Sequence, residues 1–141
     1  MERKAILIPS SSGKVSLKAV PGHFATNHSH VNYYIDMTEI KSNQRVAEEI
    51  AKMLVHPYSA STEIRAILCL DGTEMIGGFL AQQLSKGSYR GINHGESIYV
   101  LTPEFNSLGQ MMFRDNFKPV LNHQNVVLSL IHISEPTRHA Q

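Results

Sequence analysis

The sequence predicts an α/β domain with a mostly parallel sheet flanked by helices. Ile64 to Leu70 form an apolar run that only Arg65 interrupts, a composition typical of a central strand buried on both faces. Apolar residues at helical spacing follow over 75–85, and a further short strand is predicted over 97–101. Because strand, helix and strand alternate here, we expect the strands to belong to one parallel sheet.

The first forty residues predict a smaller element of a different kind. Apolar and polar residues alternate over 15–19, which is the period of a half-buried strand, and 32–37 is a second strand candidate. Pro21-Gly22 is expected to form a turn. We therefore divide the chain into a hood-like, antiparallel β element over 1–40 and a partial α/β core over 41–127.

Two helices are predicted within the core. The first covers 43–54, where Ser42 is expected to cap the N-terminus and Pro57 to end the helix. Its apolar residues share one face: Val46, Ala47, Ile50, Ala51 and Leu54. Gly87 is expected to end the second helix, which follows the central strand. A last strand is expected from Asn125 onward.

The composition indicates one globular domain that is not built around nucleic acid or lipid. Its 141 residues are 42% hydrophobic, and 13 Lys and Arg face 12 Asp and Glu for a net charge of +1. A near-neutral chain has little attraction for nucleic acid or an anionic membrane, so we expect neither as a partner. The sequence has no apolar run of about 18 residues and no signal-peptide core. We therefore expect a cytoplasmic protein.

The loop Asp71-Gly72-Thr73 is the first candidate site, because ligands of open α/β sheets bind beyond the carboxyl ends of the strands. Gly72 permits a positive φ and a close approach of the backbone. The helix predicted to start at about Glu74 offers free N–H groups that favour an anion such as phosphate. Asp71 and Glu74 oppose a bare anion and favour one bridged by a divalent metal. An ordinary turn between strand and helix is the alternative explanation.

Three histidines near the N-terminus are candidate metal ligands. His28 and His30 share one face if they lie on a strand, and His23 is nearby in the sequence. Three protein ligands are the usual minimum for zinc, and no further ligand stands at helical spacing. We therefore favour exposed loop residues and predict no metal site.

Two tyrosines and the single cysteine are the remaining candidates. Tyr33 and Tyr34 are placed to stack on a planar base, or else to form the core and rim of a strand. Cys69 excludes an intrachain disulfide, and its apolar surroundings indicate a small buried residue rather than a nucleophile. The sequence contains no GxSxG, HExxH, CxxC or Walker-type motif.

Four segments, in order along the chain, carry a resemblance to a known family. They are Gly22-His23-Phe24 with Tyr33-Tyr34-Ile35-Asp36, the strand, loop and helix over 64–84, the stretch over 99–118, and the stretch over 121–127. They resemble the base-side segment, the pyrophosphate loop, the mobile catalytic loop and the approach to the phosphoribosyl-pyrophosphate motif of type I phosphoribosyltransferases. The likeness is greatest to orotate phosphoribosyltransferase-like proteins and covers about 22–127.

This resemblance implies an activity and its partners. The parent protein would transfer a 5-phosphoribosyl group from phosphoribosyl pyrophosphate to a nitrogenous base, with orotate favoured, and would use Mg²⁺ and form a homodimer. A non-catalytic sensor of phosphoribosyl pyrophosphate or of a nucleotide, with the same fold, is the alternative, so whether the protein is an enzyme stays open.

The resemblance also implies roles for individual residues. Asp71, Gly72 and Thr73 would form the pyrophosphate loop, and Tyr33 and Tyr34 would lie on the base side. Arg114 is the only cation between Pro103 and Phe117 and takes the place of the lysine that the family's mobile loop supplies.

The end of the chain resembles a different kind of sequence. Residues 128–138 match one reading frame of the transposase adapter used to prepare DNA sequencing libraries, and 139–141 would follow from the index bases. We therefore expect 1–127 to be a partial phosphoribosyltransferase domain and 128–141 to be a non-native tail. The family's phosphate motif would then be missing, and this chain would be inactive. A natural strand is the alternative, because 126–133 is apolar and rich in β-branched residues.

We predict that the natural sequence departs from this one after Val127. The measurement is amplification across the junction from unfragmented source DNA, followed by sequencing. Recovery of the same 14 codons from that template would show that residues 128–141 are native.

Overall fold

A computed structural model of the chain describes residues 4–56, 63–86, 97–122, 126–129 and 137–138. The helices are α1 Thr38–Ser42, α2 Gln44–Leu54, α3 Glu74–Ser85 and α4 Lys118–Leu121, the last preceded by a 3₁₀ turn Asp115–Phe117. The strands are β1 Ile6–Pro9, β2 Ser16–Ala25, β3 His30–Asp36, β4 Ala66–Cys69, β5 Tyr99–Leu101, β6 Glu104–Phe105, β7 Met111–Met112, β8 Val126–Ser129 and β9 Thr137–Arg138. None of the helices in these ranges is long and apolar enough to cross a membrane.

A small parallel sheet forms the centre of the fold. The strand order is β5-β4-β8, and β4 pairs in parallel with both neighbours. Every residue of β4 is buried. Ile67 and Cys69 pack against α2 and α3, whereas Ala66 and Leu68 pack against the chain that follows β5. The predicted α/β class with a parallel sheet is therefore confirmed, and burial of both faces explains the apolar run.

The N-terminal antiparallel sheet is also confirmed, with the order β1-β2-β3. The expected turn at Pro21-Gly22 is wrong, because β2 continues through both residues. The ladder between β2 and β3 shifts register between Pro21 and Phe24, which marks a β-bulge. Proline is tolerated at a bulge, where the ladder of hydrogen bonds is interrupted.

The first helix of the core differs from the expectation at its start. Residues Thr38–Ser42 form a separate short helix, so Ser42 ends α1 and does not cap α2. Asn43 is the cap, because it is extended and its side chain accepts hydrogen bonds from the N–H groups of Arg45 and Val46. The apolar face of α2 is as predicted, and Ala47 and Ala51 are fully buried.

Pro57 and Gly87, which were expected to end the two helices of the core, lie outside the described residues. A strand does begin at Val126, close to the position expected, and β8 continues to Ser129. Strand pairing does not bear on the origin of 128–141, which stays a prediction.

The chain from 103 to 119 forms several short elements. Strands β6 and β7 form a hairpin, and the 3₁₀ turn and α4 follow. Four side chains from this region and its end pack against the parallel sheet: Phe113, Phe117, Val120 and Leu121. Irregular backbone therefore covers the face of β4 that α3 does not cover.

The two adjacent glycines of α3 have opposite environments. Gly77 is buried, and a Cβ atom there would overlap Sγ of Cys69 and lie 3.2 Å from Cγ1 of Val100. Gly78 is exposed, and a Cβ atom there would have nothing within 4 Å. Helix α3 thus lies directly on β4 and β5 through the missing side chain of Gly77.

We predict opposite effects of alanine at these two positions. Gly77→Ala should lower the free energy of unfolding by about 1–2 kcal/mol, because the cost of overpacking exceeds the gain in helix propensity. Gly78→Ala should raise it by about 0.5–1 kcal/mol, since only the propensity changes. Urea unfolding followed by circular dichroism measures both. Equal effects of the two substitutions would contradict the close contact of α3 with the sheet.

Candidate functional site

The loops after β4 and β5 meet at the carboxyl edge of the parallel sheet. The first loop runs from Leu70 into α3, and the second begins at Thr102. Oγ1 of Thr102 donates a hydrogen bond of 3.2 Å to Oε1 of Glu74, at the first residue of α3. This is the edge at which the sequence predicted a ligand site.

The loop after β4 is a tight turn with two residues in the left-handed region. Asp71 has φ of 53° and Gly72 has φ of 79°. The N–H of Thr73 donates to the carbonyl of Leu70 over 3.3 Å and closes the turn. Two consecutive positive φ values are the signature of a type I′ turn, for which Asp-Gly is a favoured pair. Gly72 thus adopts the positive φ that glycine permits.

Thr73 holds this turn together from inside the protein. Its side chain is fully buried, and Oγ1 donates a hydrogen bond of 2.8 Å to the carbonyl of Leu70. Thr73 therefore shapes the loop, whereas Asp71 and Gly72 form the surface that a ligand would meet.

A lysine from α1 supplies the positive charge of the loop. Nζ of Lys41 lies 2.9 Å from Oδ2 of Asp71, and only 16% of the Lys41 side chain is exposed. A Cβ atom on Gly72 would lie 3.7 Å from Cδ of Lys41, so the lysine stem passes beside the glycine. Sequence reasoning missed Lys41 because 30 residues separate it from Asp71 and no motif links the two.

The position of Lys41 depends on how α1 starts. Asp36, the last residue of β3, accepts a hydrogen bond of 3.0 Å from the N–H of Thr38, the first residue of α1. Hydrogen bonds from the Thr38 side chain and backbone, and the nearby charge of Lys18, lower the pKa of Asp36. This carboxylate therefore stabilises the fold at neutral pH, and its contribution is lost as the pH falls through the lowered pKa.

The N-terminus of α3 adds hydrogen-bond donors to the same edge. Thr73 occupies the cap position without a side-chain cap hydrogen bond. The first N–H groups of any helix lack acceptors within the helix, and the helix dipole is positive at this end. Together with Lys41 these groups favour an anion, although the carboxylates of Asp71 and Glu74 oppose one that carries no cation.

A cleft of about 300 Å³ lies beside this loop. Its lining comes from the end of β5, the following loop, the hairpin and the 3₁₀ turn: Val100, Leu101, Thr102, Pro103, Glu104, Met112, Arg114 and Phe117. Nε and Nη2 of Arg114 both lie 3.2 Å from Oε1 of Glu104. The Arg114 side chain is 73% exposed, so this ion pair contributes little and the guanidinium can be recruited by a ligand.

The two tyrosines lie on the N-terminal sheet and point to opposite faces, because neighbouring strand residues alternate. The ring of Tyr34 packs on Phe24, with ring centroids 5.6 Å apart. Tyr33 is 53% exposed. The tyrosines therefore do not form one wall, and Tyr33 is the ring that offers a surface for stacking.

The histidine pattern differs from the expectation. His28 lies in the turn before β3, so it does not share a strand face with His30. The ring next to His30 is that of His23, with centroids 5.3 Å apart. Within the described residues, no three histidine, cysteine or acidic side chains form a group that could hold a metal ion.

Cys69 is the small buried residue that the sequence predicted. Burial, followed by the charge of Glu74, raises the pKa of its thiol to about 11. The thiol is therefore protonated at neutral pH, which suits a buried residue rather than a nucleophile.

The structure thus gathers part of the predicted set at one edge of the parallel sheet. Asp71 and Gly72 form the loop surface, Lys41 joins them, and Arg114 lies in the neighbouring cleft. No protein-family model, curated protein or solved structure matches the chain.

Proposed function

We propose that the parent protein is a phosphoribosyltransferase with the type I fold, which transfers a 5-phosphoribosyl group from phosphoribosyl pyrophosphate to orotate. The observation that carries this proposal is the loop between β4 and α3. It presents two left-handed residues, Asp71 and Gly72, directly before a helix N-terminus, with Lys41 alongside. Such a loop suits the binding of a phosphate group through backbone N–H groups.

The acidic residues of the loop fit a magnesium complex of pyrophosphate better than pyrophosphate alone. Asp71 and Glu74 provide the hard carboxylate oxygens that Mg²⁺ prefers, and Mg²⁺ commonly bridges one or two carboxylates and the phosphates of a substrate. Bound there, the ion would neutralise part of the charge on the departing pyrophosphate. Lys41, next to Asp71, would donate to a pyrophosphate oxygen on the open side of the loop.

The reaction breaks the bond between C1 of the ribose and the pyrophosphate oxygen, and forms a bond between C1 and a ring nitrogen of the base. The proton of that nitrogen passes to water. Negative charge grows on pyrophosphate as it leaves. Arg114, released from Glu104, would donate to that pyrophosphate from the cleft. Tyr33 offers its exposed ring to the planar base.

A sensor of phosphoribosyl pyrophosphate is the second candidate function. Arg114 is the only cation in the sequence from Pro103 to Phe117, and it is paired with Glu104. This pairing favours a sensor, because it leaves that segment without an unpaired cation for the departing pyrophosphate. A protein that binds phosphoribosyl pyrophosphate through the loop while Arg114 stays paired with Glu104 would bind it without turnover.

We predict that Gly72→Val in the protein encoded by the uninterrupted locus lowers affinity for phosphoribosyl pyrophosphate by about tenfold or more. A branched side chain blocks the approach of phosphate to the backbone. The strain of a positive φ costs only about 1–2 kcal/mol of stability. Calorimetric titration in Mg²⁺ measures the affinity, and a pyrophosphate-release assay with orotate, uracil and purine bases measures turnover.

Gly13→Val is the matched control, because Gly13 has φ of 71° and an added Cβ there has nothing within 4 Å. It should change stability similarly and leave the affinity unchanged. Base-dependent release supports the transferase, and binding without release supports the sensor. Unchanged affinity in folded Gly72→Val protein removes the loop from the site.

We also predict that Lys41→Met lowers affinity for magnesium pyrophosphate by about tenfold, because a charge-assisted hydrogen bond is lost and Asp71 is left uncompensated. Lys52→Met is the control, since Lys52 pairs with Glu48 and Glu49 on its own helix α2. Titration calorimetry compares the two variants. An equal loss in both would show that the effect is one of net charge rather than of position.

A further inference from the structure

Two histidines on the N-terminal sheet have no role in the proposed transfer reaction. Nδ1 of His30 and Nε2 of His23 lie 3.4 Å apart, and both side chains are exposed. We propose that these two nitrogens chelate a divalent transition-metal ion of the zinc type. The site is separate from the magnesium complex at the loop between β4 and α3.

The separation of the two nitrogens matches the geometry of a metal chelate. Zinc–nitrogen bonds are about 2.0–2.1 Å long, so two nitrogens on one tetrahedral ion lie about 3.3 Å apart. The observed 3.4 Å is close to this value. It is longer than the ~2.7–3.2 Å of ordinary N–H···O hydrogen bonds, so the pair is spaced better for a shared ion than for a strong hydrogen bond.

A bulge in β2 brings the two rings together. Pro21 pairs with Tyr33 and Phe24 pairs with Val31, so two residues of β2, Gly22 and His23, stand opposite a single residue of β3. Such a bulge redirects the side chains that it contains. It aims His23 along the sheet toward His30, which pairs with Ala25 two positions further on.

Gly22 and Phe24 hold this bulge in place. A Cβ atom on Gly22 would come within 2.6 Å of the Phe24 ring, so the ring can lie against the backbone only because residue 22 is glycine. The Phe24 side chain is buried and also contacts the ring of Tyr34. The position of His23, directly between Gly22 and Phe24, is therefore set by core packing.

The turn between the strands sets the position of His30. The N–H and the hydroxyl of Thr26 both donate to the carbonyl of Ser29, over 2.7 and 3.1 Å. Oγ1 of Thr26 also accepts hydrogen bonds from the N–H groups of His28 and Ser29. These bonds make a compact turn, and His28 belongs to it rather than to the histidine pair.

The two nitrogens select a class of metal. Imidazole suits Zn²⁺, Ni²⁺ and Cu²⁺, whereas Mg²⁺ and Ca²⁺ prefer oxygen ligands. The pair supplies one protein ligand fewer than an open zinc site, so water would fill the remaining positions of the ion. The bound ion would join β2 to β3 at the point where their hydrogen-bond ladder is interrupted, and so would stabilise the N-terminal sheet.

The test is a titration of the 141-residue chain with Zn²⁺ and Ni²⁺, followed by calorimetry and by the shift in unfolding temperature. His23→Gln and His30→Gln should each lower the affinity by about tenfold or more, because each leaves a single imidazole. The double variant should lose little more than either single one. Mg²⁺ should give no shift.

His28→Gln is the matched control, since His28 is exposed in the adjoining turn and should be dispensable. A second readout needs no variant: the ring resonances of His23 and His30 should shift with one common affinity as Zn²⁺ is added. The proposal is overturned if the unaltered chain binds neither ion below ~1 mM. It is also overturned if His28→Gln weakens binding as much as the substitutions in the pair, or if the two rings respond with different affinities.

Discussion

The close packing of α3 on the central strand is the constraint on which the rest of the core depends. A helix can approach β4 so closely only because Gly77 has no side chain where Sγ of Cys69 lies. The approach decides where α3 begins and how the chain must turn to reach it. The turn at Asp71 and Gly72, with two positive φ values, is the short connection that joins a buried strand to a helix lying directly on it.

The charge of the candidate site is decided by a contact between distant parts of the chain. α1 follows β3 and carries Lys41 to Asp71, so an ion pair links this helix to the loop after β4. This pair is much less exposed than the pair of Arg114 with Glu104, so it is less screened by solvent. The loop is therefore less acidic than its own residues suggest, while the side chain of Arg114 stays largely exposed.

Some features of the candidate site were predictable because they depend on residue types at a few neighbouring positions. A strand with one buried face would alternate apolar and polar residues, whereas this run is almost continuously apolar. It therefore predicted a strand covered on both faces, and β4 is such a strand. Gly72, between that strand and a helical pattern, permitted a positive φ, which the backbone has. Thr73 shows the limit of this reasoning, because its type and position suited ligand binding but its side chain is buried inside the turn. Only the packing around a residue decides whether a hydroxyl faces inward.

Local patterns of residues were enough to predict the α/β class, the order of its main elements, the buried state of Cys69 and the loop at the sheet edge. These features follow from the spacing of apolar residues and from the positions of glycines, which influence the backbone over a few residues. Tertiary structure alone decided that β2 runs through Pro21-Gly22, that His23 rather than His28 meets His30, and that Lys41 neutralises Asp71. Each of these depends on strand register or on a contact between distant segments. Such contacts are selected by the packing of the whole domain, and no local pattern of residues specifies them.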